Sequence, residues 1–240
     1  MKPIKGFSKP TDGAPKKKPS GIGAWVVHKS SQLLAFNKPA ALAVQTARTD
    51  QPSLQKLASA YAKRDLYLLH RIDQPASGLV LFGRHKAKAG QLQQQFANGT
   101  AKRTYLAVVE GEPTAEEGEL RQHLTHDARS NKAHVVEADV EGAKASILHW
   151  RTLGTTERYR IVEVKLSTGR PHQIRVQLAS IGMPIHGDVK YGARRSNTNR
   201  SIHLHSYQLT LKHPVSGQDI ALEAPLPVDD ALWDVAHGLV

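Results

Sequence analysis

The chain of 240 residues contains no cysteine. This absence excludes a disulfide framework, a cysteine-ligated zinc or iron–sulfur site and a thiol nucleophile. No apolar run approaches the roughly 18 residues that a membrane span needs, and the N-terminus lacks the apolar core of a signal peptide. We therefore expect a soluble protein that stays in the cytoplasm.

Acidic residues are scarce relative to basic ones. The chain has 33 Lys and Arg against 21 Asp and Glu, which gives a formal net charge of +12. Six lysines lie in the first 18 residues, but the rest of the chain still carries 27 basic and 20 acidic residues. A basic excess favours a polyanionic partner through release of counterions, and nucleic acid is the partner most consistent with it.

The first 22 residues differ in composition from the rest. They contain four prolines, three glycines and almost no large apolar side chains. Such a segment cannot bury enough apolar surface to offset the entropy lost on ordering. We expect a flexible basic arm over residues 1–22 and one domain over residues 23–240, a size that a single core can support.

Apolar periodicity and capping residues predict an α+β domain with a central mixed, mostly antiparallel sheet, because many strands are interrupted by a few helices without regular alternation. Ser53 fits an N-cap, Pro171 fits the first position of a helix, and Gly99 and Gly182 fit helix ends. The predicted helices are 53–63, 86–98 and 171–181, and the predicted strands are 24–27, 33–36, 79–82, 102–110, 133–138, 144–153, 159–167, 202–211 and 219–223.

One carboxylate stands just before a buried strand. Asp73 lies in the segment His70–Gly78, which leads into the apolar run 79–82. Because Arg71 is two residues away, the two side chains could form a purely structural ion pair on one face of an extended segment. This stretch alone leaves a structural and a catalytic role for Asp73 equally open.

A second polar cluster, Thr168–Arg175, stands where a predicted strand passes into a helix. Free backbone N–H groups at such a junction suit the binding of an anion or a carbonyl-rich ring. His172 and Arg175 are three residues apart and share a helix face, although Arg175 could instead be a surface cation. The turn-rich segment Gly182–Gly192 could form a wall of a cleft.

Three ordered motifs make the chain resemble an RluA-type pseudouridine synthase, from about residue 24 to the C-terminus. The motifs are HRxDxxxSG at His70–Gly78, basic-x-Tyr-x-Ala at Arg103–Ala107, and TGRxHQIR followed by GxPIxGDxxYG at Thr168–Gly192. The sequence departs from the usual pattern in having Ile72 for leucine, Ala76 for threonine and Arg103 for lysine. We expect no separate small RNA-binding domain before the catalytic region, which leaves target selection open.

The resemblance implies the pseudouridine synthase fold, with an active-site cleft across the sheet, and isomerisation of uridines in ribosomal or transfer RNA. It implies that Asp73 is the essential carboxylate, by covalent addition or by removal of a sugar proton. Arg175 would pair with Asp73, Tyr105 would stack on uracil, and Arg71 would fill the gap left by a flipped nucleotide or hold a phosphate. The remaining predicted substrate-binding residues are His70, Arg170, His172, Gln173 and Ile174.

The isomerisation needs no redox step and no external group, so we expect no cofactor and no metal. The expected partner is RNA, with ribosomal RNA ahead of transfer RNA, and a monomer suffices. Two alternatives remain. His203 and His205 share a strand face and could serve a metal-dependent RNA phosphodiesterase, and the basic charge alone could serve a non-catalytic RNA-binding protein.

Overall fold

The computed structural model describes residues 21–46, 51–228 and 230–240. Residues 1–20 of the predicted basic arm lie outside these ranges. The described residues form one eleven-stranded sheet and four α-helices. None of these helices is both long and apolar enough to cross a membrane.

The helices are α1 (Leu54–Ala62), α2 (Lys86–Ala97), α3 (Gln173–Ser180) and α4 (Ala231–His237). The strands are β1 (Val26–Lys29), β2 (Leu33–Lys38), β3 (Tyr67–Leu68), β4 (Ser77–Gly83), β5 (Lys102–Val109), β6 (Glu117–Asp127), β7 (Lys132–Val136), β8 (Lys144–Thr155), β9 (Arg160–Leu166), β10 (Leu204–Lys212) and β11 (Asp219–Glu223). In the sheet they follow the order β1-β2-β4-β10-β5-β9-β8-β6-β7, with β11 paired to β10 and β3 paired to β4.

Core packing on both faces of the sheet fixes its central strands. All seven residues of β4 are buried. One apolar cluster contains Phe36, Val80 and Ile174 and covers the face that carries α1 and α3. A second cluster contains Leu81 and Leu92 and covers the face that carries α2. The loop before β4 and the segment before α3 therefore start from a rigid, doubly covered sheet.

The α+β prediction is confirmed, because the strand pairs are mostly antiparallel and β4 and β10 are the parallel pair among the described strands. Ser53 caps α1 by accepting a hydrogen bond from Lys56 N at 3.4 Å. The predicted start of the third helix is wrong. His172 has a φ of 53°, which is incompatible with a right-handed helix, so α3 begins at Gln173 and Pro171 lies in the preceding turn.

Three further elements differ from the sequence prediction. The segment Ile22–Trp25 forms a short 3₁₀ helix, so the first strand begins only at Val26. The long strand β6 was not predicted because it is polar on both faces and lacks apolar alternation. The short helix α4 was also not predicted, although Asp230 caps it by accepting from Leu232 N at 2.9 Å.

Gly78 allows the two parallel strands to approach each other. It pairs with Ser206 of β10 and has a φ of 109°, a conformation that favours glycine. A Cβ atom at this position would overlap the backbone of Ser206. The missing side chain therefore sets the distance between β10 and the end of the loop that carries Asp73.

Replacing Gly78 by alanine should lower the free energy of unfolding by about 2 kcal/mol or more, because both the positive φ and the overlap with Ser206 are unfavourable. The matched control is Gly90→Ala, since Gly90 is an exposed residue of α2 with open space around it. That change should raise stability by about 0.5–1 kcal/mol through helix propensity. Urea denaturation of both variants measures the difference, and a Gly78→Ala variant as stable as the native chain would contradict this account of the strand pair.

Candidate active site

Asp73 makes its ion pair with a residue far along the chain. Its Oδ2 atom lies 3.0 Å from Nη1 of Arg175, although 102 positions separate the two residues. The structure records no such pair between Asp73 and the adjacent, exposed Arg71. Within the described residues, the proposed local ion pair is thus replaced by one that joins the loop before β4 to α3.

Arg175 is held by a second carboxylate. Its Nε and Nη2 atoms donate to the two oxygens of Asp188 at 2.6 and 2.8 Å, and Arg175 and Asp188 are 5% and 2% exposed. Burial alone would lower the pKa of Arg175, but the hydrogen bond and charge of Asp188 and the charge of Asp73 raise it above its usual value. The guanidinium is therefore permanently charged and fixed in orientation. No sequence pattern singles out Asp188 beyond its place in the last motif.

His172 completes the wall beside Asp73. Its Nδ1 atom lies 2.8 Å from the hydroxyl of Tyr191, and this hydroxyl accepts a hydrogen bond from Ala133 N at 2.7 Å. The tyrosine hydroxyl can donate to Nδ1 or accept from it, and Nε2 lies 3.9 Å from Oδ2 of Asp73, which is too long for a direct hydrogen bond. Burial, with the charge of Arg175, lowers the pKa of His172 to about 4 against the opposing charge of Asp73. The imidazole is thus neutral at physiological pH.

Two cavities meet at Asp73. The larger has a volume of about 430 Å³ and is bounded by Tyr105 of β5, the apolar side chain of Ile174 and the carboxylate of Asp73. Tyr105 is only 6% exposed, and burial raises its pKa. The smaller cavity, of about 270 Å³, has Lys190 in its wall. Both are bounded by Arg71, so the exposed guanidinium stands between them.

The turn before α3 is braced by Gln173. Its Oε1 atom accepts from Thr168 Oγ1 at 2.9 Å and from Arg170 N at 3.0 Å, while its Nε2 atom donates to Ile147 O at 3.1 Å. The side chain of Arg170 is exposed at the larger cavity and donates from Nε to Ala145 O at 3.2 Å. Gln173 therefore shapes the cavity wall, and its side-chain amide is occupied by the protein itself.

His70 does not border either cavity. Its ring stacks on Phe96 with centroids 4.6 Å apart, and its Nε2 atom accepts from Leu81 N at 3.2 Å. Burial, with the charge of Arg103, lowers the pKa of His70 to about 3. His70 therefore attaches the Asp73 loop to β4 and α2. The other predicted site residues border the cleft, whereas His70 does not.

Lys38 was not among the predicted site residues, although its side chain contacts the backbone of the Asp73 loop. Its Nζ atom is fully buried and lies within hydrogen-bond distance of four carbonyl oxygens, those of Pro39 at 2.9 Å, Leu42 at 2.8 Å, Gln74 at 3.1 Å and Ala76 at 2.6 Å. Burial lowers its pKa to about 7, against the charge of Asp73. Two of these carbonyls closely follow Asp73, so one buried amine fixes the backbone on the C-terminal side of the carboxylate.

The two histidines of the metal alternative have separate partners. His203 pairs with Asp230 at 3.0 Å, and His205 pairs with Ser77 Oγ at 2.8 Å. In the ranges that the structure describes, no three side chains of His, Cys, Asp or Glu are grouped so that they could hold a metal ion. This pair accordingly gives the metal alternative no geometric support.

Comparison with known proteins identifies the fold and the family. Two human structures, RNA pseudouridylate synthase domain containing 4 and domain containing 1, superpose with TM-scores of 0.71 at 24% and 22% identity. They cover 86% and 92% of this chain, and the matched parts are 90% and 97% of the human chains. The sheet is therefore that of a pseudouridylate synthase.

Curated relatives agree with this fold. The uncharacterized RNA pseudouridine synthase YhcT of Bacillus subtilis is 32% identical over 85% of this chain and 69% of its own length. The ribosomal large subunit pseudouridine synthase C of Rickettsia conorii is 30% identical over 85% and 68%. The tRNA pseudouridine synthase C of Pectobacterium carotovorum is 31% identical over 87% and 60%. The chain thus spans three fifths to about two thirds of the length of these relatives.

The model of the RNA pseudouridylate synthase family matches residues 32–180, which contain Asp73, Tyr105 and Arg175. The chain belongs to this family of enzymes, which isomerise uridine in RNA. The resemblance inferred from the sequence motifs is confirmed.

The pH dependence of stability tests the structural role of His70. An unfolded histidine has a pKa near 6.5, whereas folding lowers that of His70 to about 3, so the unfolded chain binds the additional proton below pH 6.5 and stability falls with pH. His70→Gln retains an acceptor for Leu81 N without this titration. The His70→Gln variant should lose roughly 2 kcal/mol less stability than the native chain between pH 7 and pH 5.

The control is His134→Gln, which removes an exposed imidazole from β7 and should leave the pH dependence unchanged. Urea denaturation at pH 7 and pH 5 gives the free energies of unfolding. Equal losses for His70→Gln and the native chain would show that the environment of His70 does not depress its pKa.

Proposed function

We propose that this protein converts specific uridines of structured RNA to pseudouridine, with Asp73 as the catalytic carboxylate. One observation carries the proposal: Asp73 faces a cavity bounded by Tyr105 while its Oδ2 atom is fixed by Arg175, itself held by Asp188. An oriented carboxylate beside an aromatic wall suits a reaction on a base that has been extruded from an RNA stack.

The chemistry requires one carbon–nitrogen bond to break and one carbon–carbon bond to form. When the bond between C1′ and N1 breaks, its electron pair goes to the base. Asp73 then either bonds to C1′ or takes the proton from C2′, and either route accounts for the charge left on the sugar. The base rotates, and C5 bonds to C1′ as the bond between Asp73 and C1′ breaks or, in the other route, as the proton returns to C2′. The proton on C5 is then lost and N1 takes up a proton, so the product is an isomer of the starting nucleoside. The cavity of about 430 Å³ is large enough for a uracil to turn within it.

The remaining side chains bind and orient the nucleotide. Tyr105 stacks on the uracil ring, and Ile174 adds apolar contact within the same cavity. Arg71 is exposed between the two cavities, so it fills the gap left by the base or holds a phosphate. Arg170 is exposed at the same rim and suits a second phosphate contact, while His172 borders the same cavity and presents a neutral ring to the nucleotide.

Ribosomal RNA is the first choice of substrate and transfer RNA the second. One relative is named for the large ribosomal subunit and another for transfer RNA, which supports both classes. The positive net charge agrees with either RNA. We place the enzyme in the cytoplasm, acting as a monomer whose catalytic domain comprises residues 23–240.

Asp73→Asn should abolish pseudouridine formation, because the amide neither adds to C1′ nor accepts a proton from C2′. Asp65→Asn is the matched control, since it makes the same chemical change at an exposed position eight residues earlier. Pseudouridine is measured by carbodiimide labelling of RNA, and binding of the same RNA should change by less than about threefold for either variant. Full turnover by Asp73→Asn would end the proposal.

Mapping of pseudouridines in total RNA should identify the substrate. RNA from cells without this protein should lack pseudouridine at one or a few positions, first in large-subunit ribosomal RNA. Expression of the native chain should restore these positions, and expression of the Asp73→Asn variant should not. Identical maps with and without the protein would favour a non-catalytic RNA-binding role.

A further inference from the structure

Among the residues that the structure describes, Arg103 is a buried cation whose side chain has no hydrogen-bond or ion-pair partner. It lies on β5 two residues before Tyr105, so both side chains leave the same face of the strand. Arg103 is 8% exposed and borders the larger cavity. Its Nε and Nη2 atoms are buried and have no hydrogen-bond partner, and no carboxylate among the described residues forms an ion pair with it.

This arrangement differs from that of the other arginines with a free buried Nε atom. Arg84 donates from Nη1 to Ser30 O at 3.0 Å, and Arg160 donates from Nη1 to Gly111 O at 2.7 Å. For Nε and Nη2 of Arg103, by contrast, no acceptor among the described residues replaces the water that burial removes. A buried charge without compensation is unfavourable, so its retention beside a reaction cavity calls for a negative charge that arrives with the substrate.

The turn before α3 leaves space for this guanidinium. Gly169 does not have a left-handed φ, so its backbone conformation alone does not require glycine. A Cβ atom at Gly169 would overlap Nη1 of Arg103. The absence of a side chain at this position therefore allows the charge to lie against the cavity wall.

The other cations around the cleft are already neutralised or solvated. Arg175 uses three nitrogens on two carboxylates. Arg71 and Arg170 are exposed, and exposed Lys190 donates to Ser130 O at 3.2 Å and to a neighbouring carbonyl at 3.0 Å. Among the described residues that border the larger cavity, Arg103 is thus the buried cation without a counter-charge.

The reaction generates such a negative charge. As the bond between C1′ and N1 breaks, the electron pair moves onto the base and is shared among N1, O2 and O4, while Asp73 completes the balance on the sugar. We propose that Arg103 is a further catalytic residue that contacts the detached uracil and stabilises its negative charge before C5 bonds to C1′. A cation that is largely withdrawn from water, as Arg103 is, suits this role because the low local dielectric strengthens its interaction with an anion. The inference rests on the proposed function and adds a residue to it.

The test compares Arg103→Met, which removes the charge at similar length, with Arg103→Lys, which keeps it. The substrates are two transcripts that carry the mapped site as uridine or as 5-fluorouridine. Fluorine stabilises the uracil anion, so the detached base needs less help from the protein, and loss of the starting nucleoside reports bond cleavage. Single-turnover rates are measured by chromatography after digestion of the RNA to nucleosides.

Arg103→Met should slow cleavage at uridine at least 30-fold and at 5-fluorouridine less than fivefold, with RNA affinity within twofold of the native value. Arg103→Lys should stay within about fivefold of native on both substrates. The melting temperature of Arg103→Met should be unchanged or higher, because a buried unpaired charge is lost.

Equal slowing on the two substrates, an effect confined to RNA affinity, or no slowing would each overturn the role of Arg103. So would a lowered melting temperature accompanied by the same loss on both substrates, which indicates a structural role. Failure of the native chain to convert uridine would instead overturn the proposed function, and this inference with it. The native and variant measurements therefore distinguish the two failures.

Discussion

The ion triplet of Asp188, Arg175 and Asp73 is the interaction on which the site depends. Asp188 and Arg175 are almost completely buried, so neither charge could remain there without the other. The bidentate pair fixes the plane of the guanidinium and directs its third nitrogen at Asp73. A loop and a helix from distant parts of the chain are thereby joined at the atom proposed to react.

The sheet supplies the rigidity that this triplet requires. Gly78 lets β4 lie close to β10, and Lys38 binds carbonyls on the C-terminal side of Asp73. His70 attaches the other end of the same loop to β4 and α2. Three separate contacts thus hold the backbone on both sides of this one carboxylate.

Much of the fold and part of the candidate site were predictable from the sequence. Apolar periodicity located β4 and β5, and Ser53 marked the start of α1, because these signals are local. Local signals failed for β6, because its residues are polar on both faces and its composition is that of a loop. They also failed for Pro171, which lies before rather than within α3. The role of Asp188 and the four carbonyls around Lys38 depend on contacts between distant segments, which one sequence does not encode as a pattern.

The hydrogen bond from Ala133 to Tyr191 has a consequence for the imidazole of His172. Ala133 lies on β7, which forms a hairpin with β6, and its N–H donates to the hydroxyl that lies 2.8 Å from Nδ1 of His172. If the hairpin moved away, Tyr191 would lose this donor, and the imidazole would lose its connection through Tyr191 to the last strand of the sheet. The position of the imidazole beside Asp73 therefore depends in part on the outermost hairpin of the sheet.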